Sequence, residues 1–110
     1  MPNPIQVLTT TASREDAERI ARALVEGRLA ACVQLVGPIT STYRWQGAIE
    51  ISQEWLCLIK SRQDLYAELE AAVRRLHPYE VPEILAQPIV AGNPDYLAWL
   101  DAQLKQPEAS

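Results

Sequence analysis

Two rhythms of apolar and polar residues run along this chain. Residues Ile5 to Thr11 mix β-branched and apolar side chains, which predicts a strand, and Ser13 then offers a hydroxyl to cap a helix starting at Arg14. Asp16, three residues on from Ser13, completes a box-like start. Ala17, Ile20, Ala21, Leu24 and Val25 fall on one face at helical spacing, and Gly27 supplies the stop. Leu29 to Val36 is almost unbroken apolar, the mark of a strand covered on both faces or nearly so, and Gly37-Pro38 breaks it as a bulge before it resumes at Ile39. Thr40, Thr42, Tyr43 and Trp45 lead to Gln46-Gly47, a hairpin signal, and Ile49 to Lys60 returns antiparallel.

Ser61 with Asp64 predicts the cap of a second helix, whose apolar set is Leu65, Leu69, Ala72, Val73 and Leu76 and which Pro78 ends. The run from Leu76 to Glu83, LHPYEVPE, carries two prolines and is irregular. Ile84 to Val90 is a fourth strand, marked by Pro88 as an edge or a bulge. Asn93-Pro94-Asp95 opens a last helix with Tyr96, Leu97, Leu100 and Leu104 inward, and the tail from Gln106 is expected to fray. The order, βαββαβ plus a C-terminal helix, is the split βαβ arrangement of an α+β, ferredoxin-like fold. A chain of 110 residues holds one such domain, residues 1–110, with an ordered core of about 5–104.

Ten Lys and Arg against fourteen Asp and Glu give a net charge of −4, which removes the basic field that nucleic acid binding requires. Apolar runs such as Leu29 to Val33 are too short to cross a membrane. Met1-Pro2-Asn3-Pro4 has neither the basic nor the apolar part of a secretion signal, so a cytoplasmic protein with reduced Cys32 and Cys57 is expected.

Fold does not fix function, so each chemistry that this architecture hosts must appear as residues. The strand that would carry stacking aromatics in an RNA-recognition module reads Gln53-Glu54-Trp55-Leu56-Cys57-Leu58, and the chain has no Phe. The loop after the first strand, Thr9-Thr10-Thr11-Ala12-Ser13, lacks the C-x-x-C of a metallochaperone. No glycine precedes Gly27 to build an anion cradle beside Arg14, and the glycines at 27, 37, 47 and 92 never match a P-loop.

What remains is His77, Tyr79, Glu80 and Glu83 around two prolines, with the only imidazole of the chain. Imidazole and carboxylate suit copper, zinc or nickel, and Cys32 adds a soft ligand if the fold brings its strand alongside. The structural alternative is that His77 caps the preceding helix as a partial cation, the carboxylates are solvated and Cys32 is a small core residue. A two-residue turn at Gln46-Gly47 sets Cys57 opposite Val36 and leaves Cys32 four residues off, about 13 Å along the strand and out of disulfide range. The same register puts Trp55 opposite Pro38. Tyr43, Trp45 and Trp55 on this long hairpin read as core or subunit packing before ligand stacking.

Three stretches then carry a resemblance to the CutA family, the divalent-cation tolerance proteins: Leu29-Ala30-Ala31-Cys32-Val33; Thr40-Ser41-Thr42-Tyr43-Arg44-Trp45-Gln46-Gly47 with Ile49-Glu50; and His77-Pro78-Tyr79-Glu80-Val81-Pro82-Glu83 followed by Asp95-Tyr96-Leu97-Ala98-Trp99-Leu100. The match runs from Ile5 to about Leu104. The resemblance implies a ferredoxin-like subunit in a homotrimer similar to P-II-type signal transducers, with a link to copper or other divalent-metal tolerance. It places His77 and Cys32 at family ligand positions, whereas Thr9 and Leu76 stand where some bacterial members have a further cysteine and histidine.

The leading expectation is thus a non-enzymatic trimer that binds a divalent cation, copper before zinc and none obligatory, with His77 as principal ligand and Glu80 or Cys32 assisting. A P-II-like sensor or scaffold is the alternative, its clefts near His77, Tyr79, Arg44 and Lys60 taking a small anion or a protein partner. An enzyme using Cys32 as nucleophile and His77 as base ranks last, since neither motif nor spacing supports it.

Overall fold

The computed structural model describes residues 3–106. Strand β1 (Pro4–Thr11) leads into helix α1 (Arg14–Glu26), and the long strands β2 (Cys32–Trp45) and β3 (Ala48–Arg62) form a hairpin. A 3-10 turn (Gln63–Leu65), helix α2 (Tyr66–Leu76), the short strand β4 (Leu85–Pro88) and helix α3 (Pro94–Gln103) complete the chain. The strands form one antiparallel sheet in the order β2-β3-β1-β4. This is the ferredoxin-like order expected, with β3 between the parallel β1 and β2. No helix among the described residues is long and apolar enough to cross a membrane.

Alternation along β1 and β3 sends Ile5, Val7, Cys57 and Ile59 to one face, where they meet Ala17, Ile20 and Leu24 of α1 and Leu69, Ala72 and Val73 of α2. Leu100 and Leu104 join the same core. The predicted capping of α1 is present, the Ser13 hydroxyl accepting from the Asp16 N–H at 3.1 Å. Buried Arg62 fastens α3 by donating to Asp101 at 2.8 Å and to the Lys105 carbonyl at 2.7 Å.

The hairpin outruns the sheet. The β1 ladder ends where Thr11 meets Trp55, so the paired segments Ile39–Trp45 and Ala48–Glu54 project beyond it. The molecule is accordingly 48 Å long against 28 and 24 Å across. Trp45, Ile49 and Ile51 lie on that projection 49, 66 and 68% exposed.

Several expectations need correction. The apolar run at Leu29 is not a strand covered on both faces. Leu29 and Ala30 are buried in a turn whose N–H groups donate to the Leu24 carbonyl, and the strand starts only at Cys32, on the sheet edge with Val36 exposed. An apolar stretch reports that cover is needed, not which element supplies it. Ser61 does not cap α2 but lies within β3, one residue before its end, its buried hydroxyl donating to the Leu29 carbonyl at 2.7 Å. Two residues of β2, Gly37 and Pro38, oppose the single Trp55, so Cys57 pairs with Leu35 rather than Val36. The bulge is where the sequence placed it, and its extra residue shifts the register beyond it by one. Strand β4 is four residues long instead of seven, and Tyr96 is exposed rather than inward. The tail after Gln106 lies outside the described residues.

Candidate functional site

The β4 ladder stops at the Leu8–Leu85 pair and leaves the end of β1 open on that side. The segment from His77 to Glu83 passes this opening. Pro78 ends α2, and the His77 N–H closes the last turn on the Val73 carbonyl at 2.8 Å. The imidazole, 7% exposed, turns away from its own helix toward β1. The Tyr79 N–H donates to Nδ1 at 3.1 Å, so Nδ1 carries no proton and the ring is protonated at Nε2. Nε2–H donates to the Thr10 carbonyl at 2.7 Å, taking a backbone acceptor that β4 does not reach. His77 thus holds the C-cap position by backbone only. Its ring is not a cationic cap on the last carbonyls of α2, because an imidazolium has no bare nitrogen to accept from Tyr79.

Tyr79 packs beside this ring, centroids 4.7 Å apart, and its hydroxyl donates to Glu54 Oε2 at 2.8 Å. Burial pushes the Tyr79 phenol well above its ordinary range, and the bond to Glu54 adds to the shift. Glu54 is itself only 8% exposed. Around this pair lies a cleft of about 580 Å³, with Glu54, Glu80 and Glu83, the aromatic rings of Tyr43 and Trp45, and the Thr10 and Ser41 side chains on its walls. No Lys or Arg lines it.

His77, Tyr79 and Glu80 are therefore brought together, Glu80 on the exposed side. Cys32 is not with them. The row of Thr10 continues through Leu56 to Val36, and Cys32 stands four residues farther along β2, opposite Lys60. That is about 13 Å along the strand and about 10 Å across the sheet from the His77 contact. Among the described residues no three His, Cys, Asp or Glu side chains are grouped to hold a metal ion. The donors named from the sequence do not fit a resident three-ligand centre within one chain.

The remaining candidates are also dispersed. Arg44 is near the hairpin tip opposite Ile49, and Lys60 donates to the side-chain oxygens of Gln6 and Gln34, far from His77. Leu76 packs against the core, so it does not face the cleft. Cys57 is fully buried and burial pushes its thiol up to about 11, while the neighbouring Thr9 hydroxyl is buried without a hydrogen-bond partner. Sequence reading passed over Glu54 and Thr10. The only signal for Glu54 was a carboxylate in step with Leu56 and Leu58 on one strand face.

The family model described as CutA1 divalent ion tolerance protein matches residues 5–103. A divalent-cation tolerance protein CutA from Thermus thermophilus is 53% identical over 94 residues, which are 86% of this chain and 91% of that protein. Protein CutA from Mus musculus is 46% identical over 101 residues, 91% of this chain and 57% of its own length, and this chain spans about half the length of the plant and animal relatives it matches. Among solved structures, the Thermus thermophilus protein Cut A1 superimposes with a TM-score of 0.90 at 49% identity, covering 93% of this chain and 99% of that one. CutA1 from Oryza sativa gives 0.93 at 37% identity, covering 96% and 97%. The resemblance carried by the L-A-A-C-V, Tyr43 to Gly47 and H-P-Y-E-V-P-E stretches is thereby borne out across nearly the whole described fold, and this chain belongs to the CutA1 divalent ion tolerance family.

Proposed function

We propose that this protein acts in divalent-cation tolerance as a non-enzymatic homotrimer that binds a divalent cation, copper(II) ahead of zinc(II), with no obligatory cofactor. The observation that carries the reading is the character of the cleft. Three glutamates and no Lys or Arg line it, a field that draws cations and repels the small anions a P-II-like sensor would take. The relatives named divalent-cation tolerance proteins point the same way. Glu80 and Glu83 supply oxygen donors in this reading, and Cys32 is a separate soft donor on β2. One chain does not group three such side chains, so fuller coordination draws on water or on a neighbouring chain.

Assembly has its own support. Strand β2 is an edge along fourteen residues, and the projecting hairpin exposes Trp45, Ile49 and Ile51, which a second and third chain would cover. An enzyme using Cys32 and His77 is disfavoured by their separation across two strands. The reading places the protein in the cytoplasm with Cys32 and Cys57 free. Copper(II) calorimetry on the wild type and on a Glu80→Gln, Glu83→Gln double variant, alongside light scattering, tests it. Weakened binding by the variant and a mass of three 12.3 kDa chains are expected. Equal affinity, or a monomer at micromolar concentration, sinks the corresponding half.

A further inference from the structure

We infer that His77 is not a cation ligand in this protein but a latch, a fixed Nε2–H imidazole that fastens the segment after α2 to the open end of β1 and thereby sets the Tyr79 hydroxyl on Glu54. A metal ion needs a bare ring nitrogen with its lone pair aimed at free space. Here the Nδ1 lone pair is aimed at the Tyr79 N–H and Nε2 bears the proton given to Thr10. Offering Nδ1 would unhitch the Tyr79 amide. Offering Nε2 would require the other tautomer, with an Nε2 lone pair facing the Thr10 oxygen at 2.7 Å and an Nδ1 proton facing the Tyr79 N–H. The first loses a hydrogen bond and the second sets like against like, in a place almost closed to water, where lost hydrogen bonds are not replaced.

Histidine suits the latch because its ring has a donor and an acceptor on separate atoms. One serves the chain two residues on and the other reaches a strand 67 positions away. The consequence passes to Tyr79, whose backbone and ring are both held by His77 and whose hydroxyl reaches Glu54 on the cleft wall. His77 is in this sense a positioning residue for the cleft. The inference does not depend on where a cation binds, and a cation held by Glu80, Glu83 or Cys32 leaves it intact.

The chain has one histidine, so its ring nitrogens can be read by ¹⁵N NMR without ambiguity. Without metal, the Nε2–H tautomer is expected, and saturation with zinc(II) should move neither ring nitrogen. An Nδ1–H tautomer, or a coordination shift at either nitrogen, overturns the inference. His77→Gln, which keeps a donor for Thr10, should let the Tyr79 amide exchange at least about tenfold faster. A Tyr79 amide that exchanges no faster than in the wild type overturns it too. Failure of the wild type to bind copper(II) would sink the cation reading alone, and the tautomer would still decide the latch.

Discussion

The Tyr79 hydroxyl donates to the Glu54 carboxylate at 2.8 Å across 25 residues of sequence, tying the loop after α2 to the base of the projecting hairpin. Glu54 is buried and Tyr79 half-buried, so water replaces the bond only in part. Tyr79→Phe should cost about 1.5 to 3 kcal/mol, because it leaves a buried carboxylate without its donor. Glu54→Gln keeps an acceptor and should cost less. Denaturant unfolding followed by tryptophan fluorescence compares the two, and equal costs would mean that the charge on Glu54 is irrelevant to the pair.

The ring of Trp55 lies on Gly37 so closely that a Cβ there would stand 2.4 Å from Cε3 and 2.7 Å from Cδ2. Gly37→Ala should destabilise by about 1 to 3 kcal/mol, the usual cost of overpacking. Much of that should be recovered in a Trp55→Leu background, where the ring is gone. If the cost is the same in both backgrounds, Gly37 is required for its backbone and not for the indole.

Periodicity was enough for α1, where five apolar residues and a capping serine all pointed to one helix, and for the turn at Gln46-Gly47, which set the tip of the hairpin. It was not enough for β2. An apolar run looks the same whether a helix, a strand or another chain covers it, so Leu29 to Val36 could not disclose that its first three residues are buried in a turn and the rest lie on an edge. The site was half legible. H-P-Y-E drew attention to His77 and Glu80 because one imidazole and two prolines stand out locally. Cys32 was attached to them by chemistry alone, and chemistry does not say that two strands lie between. The engagement of the imidazole with Thr10 depends on β4 starting opposite Leu8, a pairing between strands that the pattern along one strand does not disclose.

Thr9 is fully buried, and its hydroxyl has no partner among the described residues. Burying a hydroxyl unpaired costs on the order of 1 to 3 kcal/mol, and valine has nearly the same shape without that cost. Thr9→Val should therefore stabilise the protein by about 1 kcal/mol, and Thr9→Ser, which keeps the hydroxyl and loses a methyl, should destabilise it. Thermal unfolding of the two variants gives the answer. A destabilising Thr9→Val would show that the hydroxyl is satisfied in solution.

Alkaline stability should turn on Cys57. Its thiol, ordinarily near 9.0, is pushed up to about 11 because burial penalises the thiolate. Below pH 9 the folded and unfolded chains both hold this proton, and stability does not depend on it. Between pH 9 and 11 the unfolded chain releases the proton while the folded one keeps it. The unfolded state then binds fewer protons, and the free energy of unfolding falls as pH rises, by about 2 to 3 kcal/mol over the window. Tyr79 extends the loss, since its phenol, ordinarily near 10.0, is raised in the folded protein first by burial and then by Glu54. Cys57→Ala leaves a small cavity whose cost does not vary with pH, so its deficit against the wild type should shrink steadily from pH 9 to 11. Measuring unfolding free energies of both proteins at several pH values cancels every other alkaline group. Parallel curves through that window would mean that the Cys57 thiol ionises alike in the folded and unfolded chains.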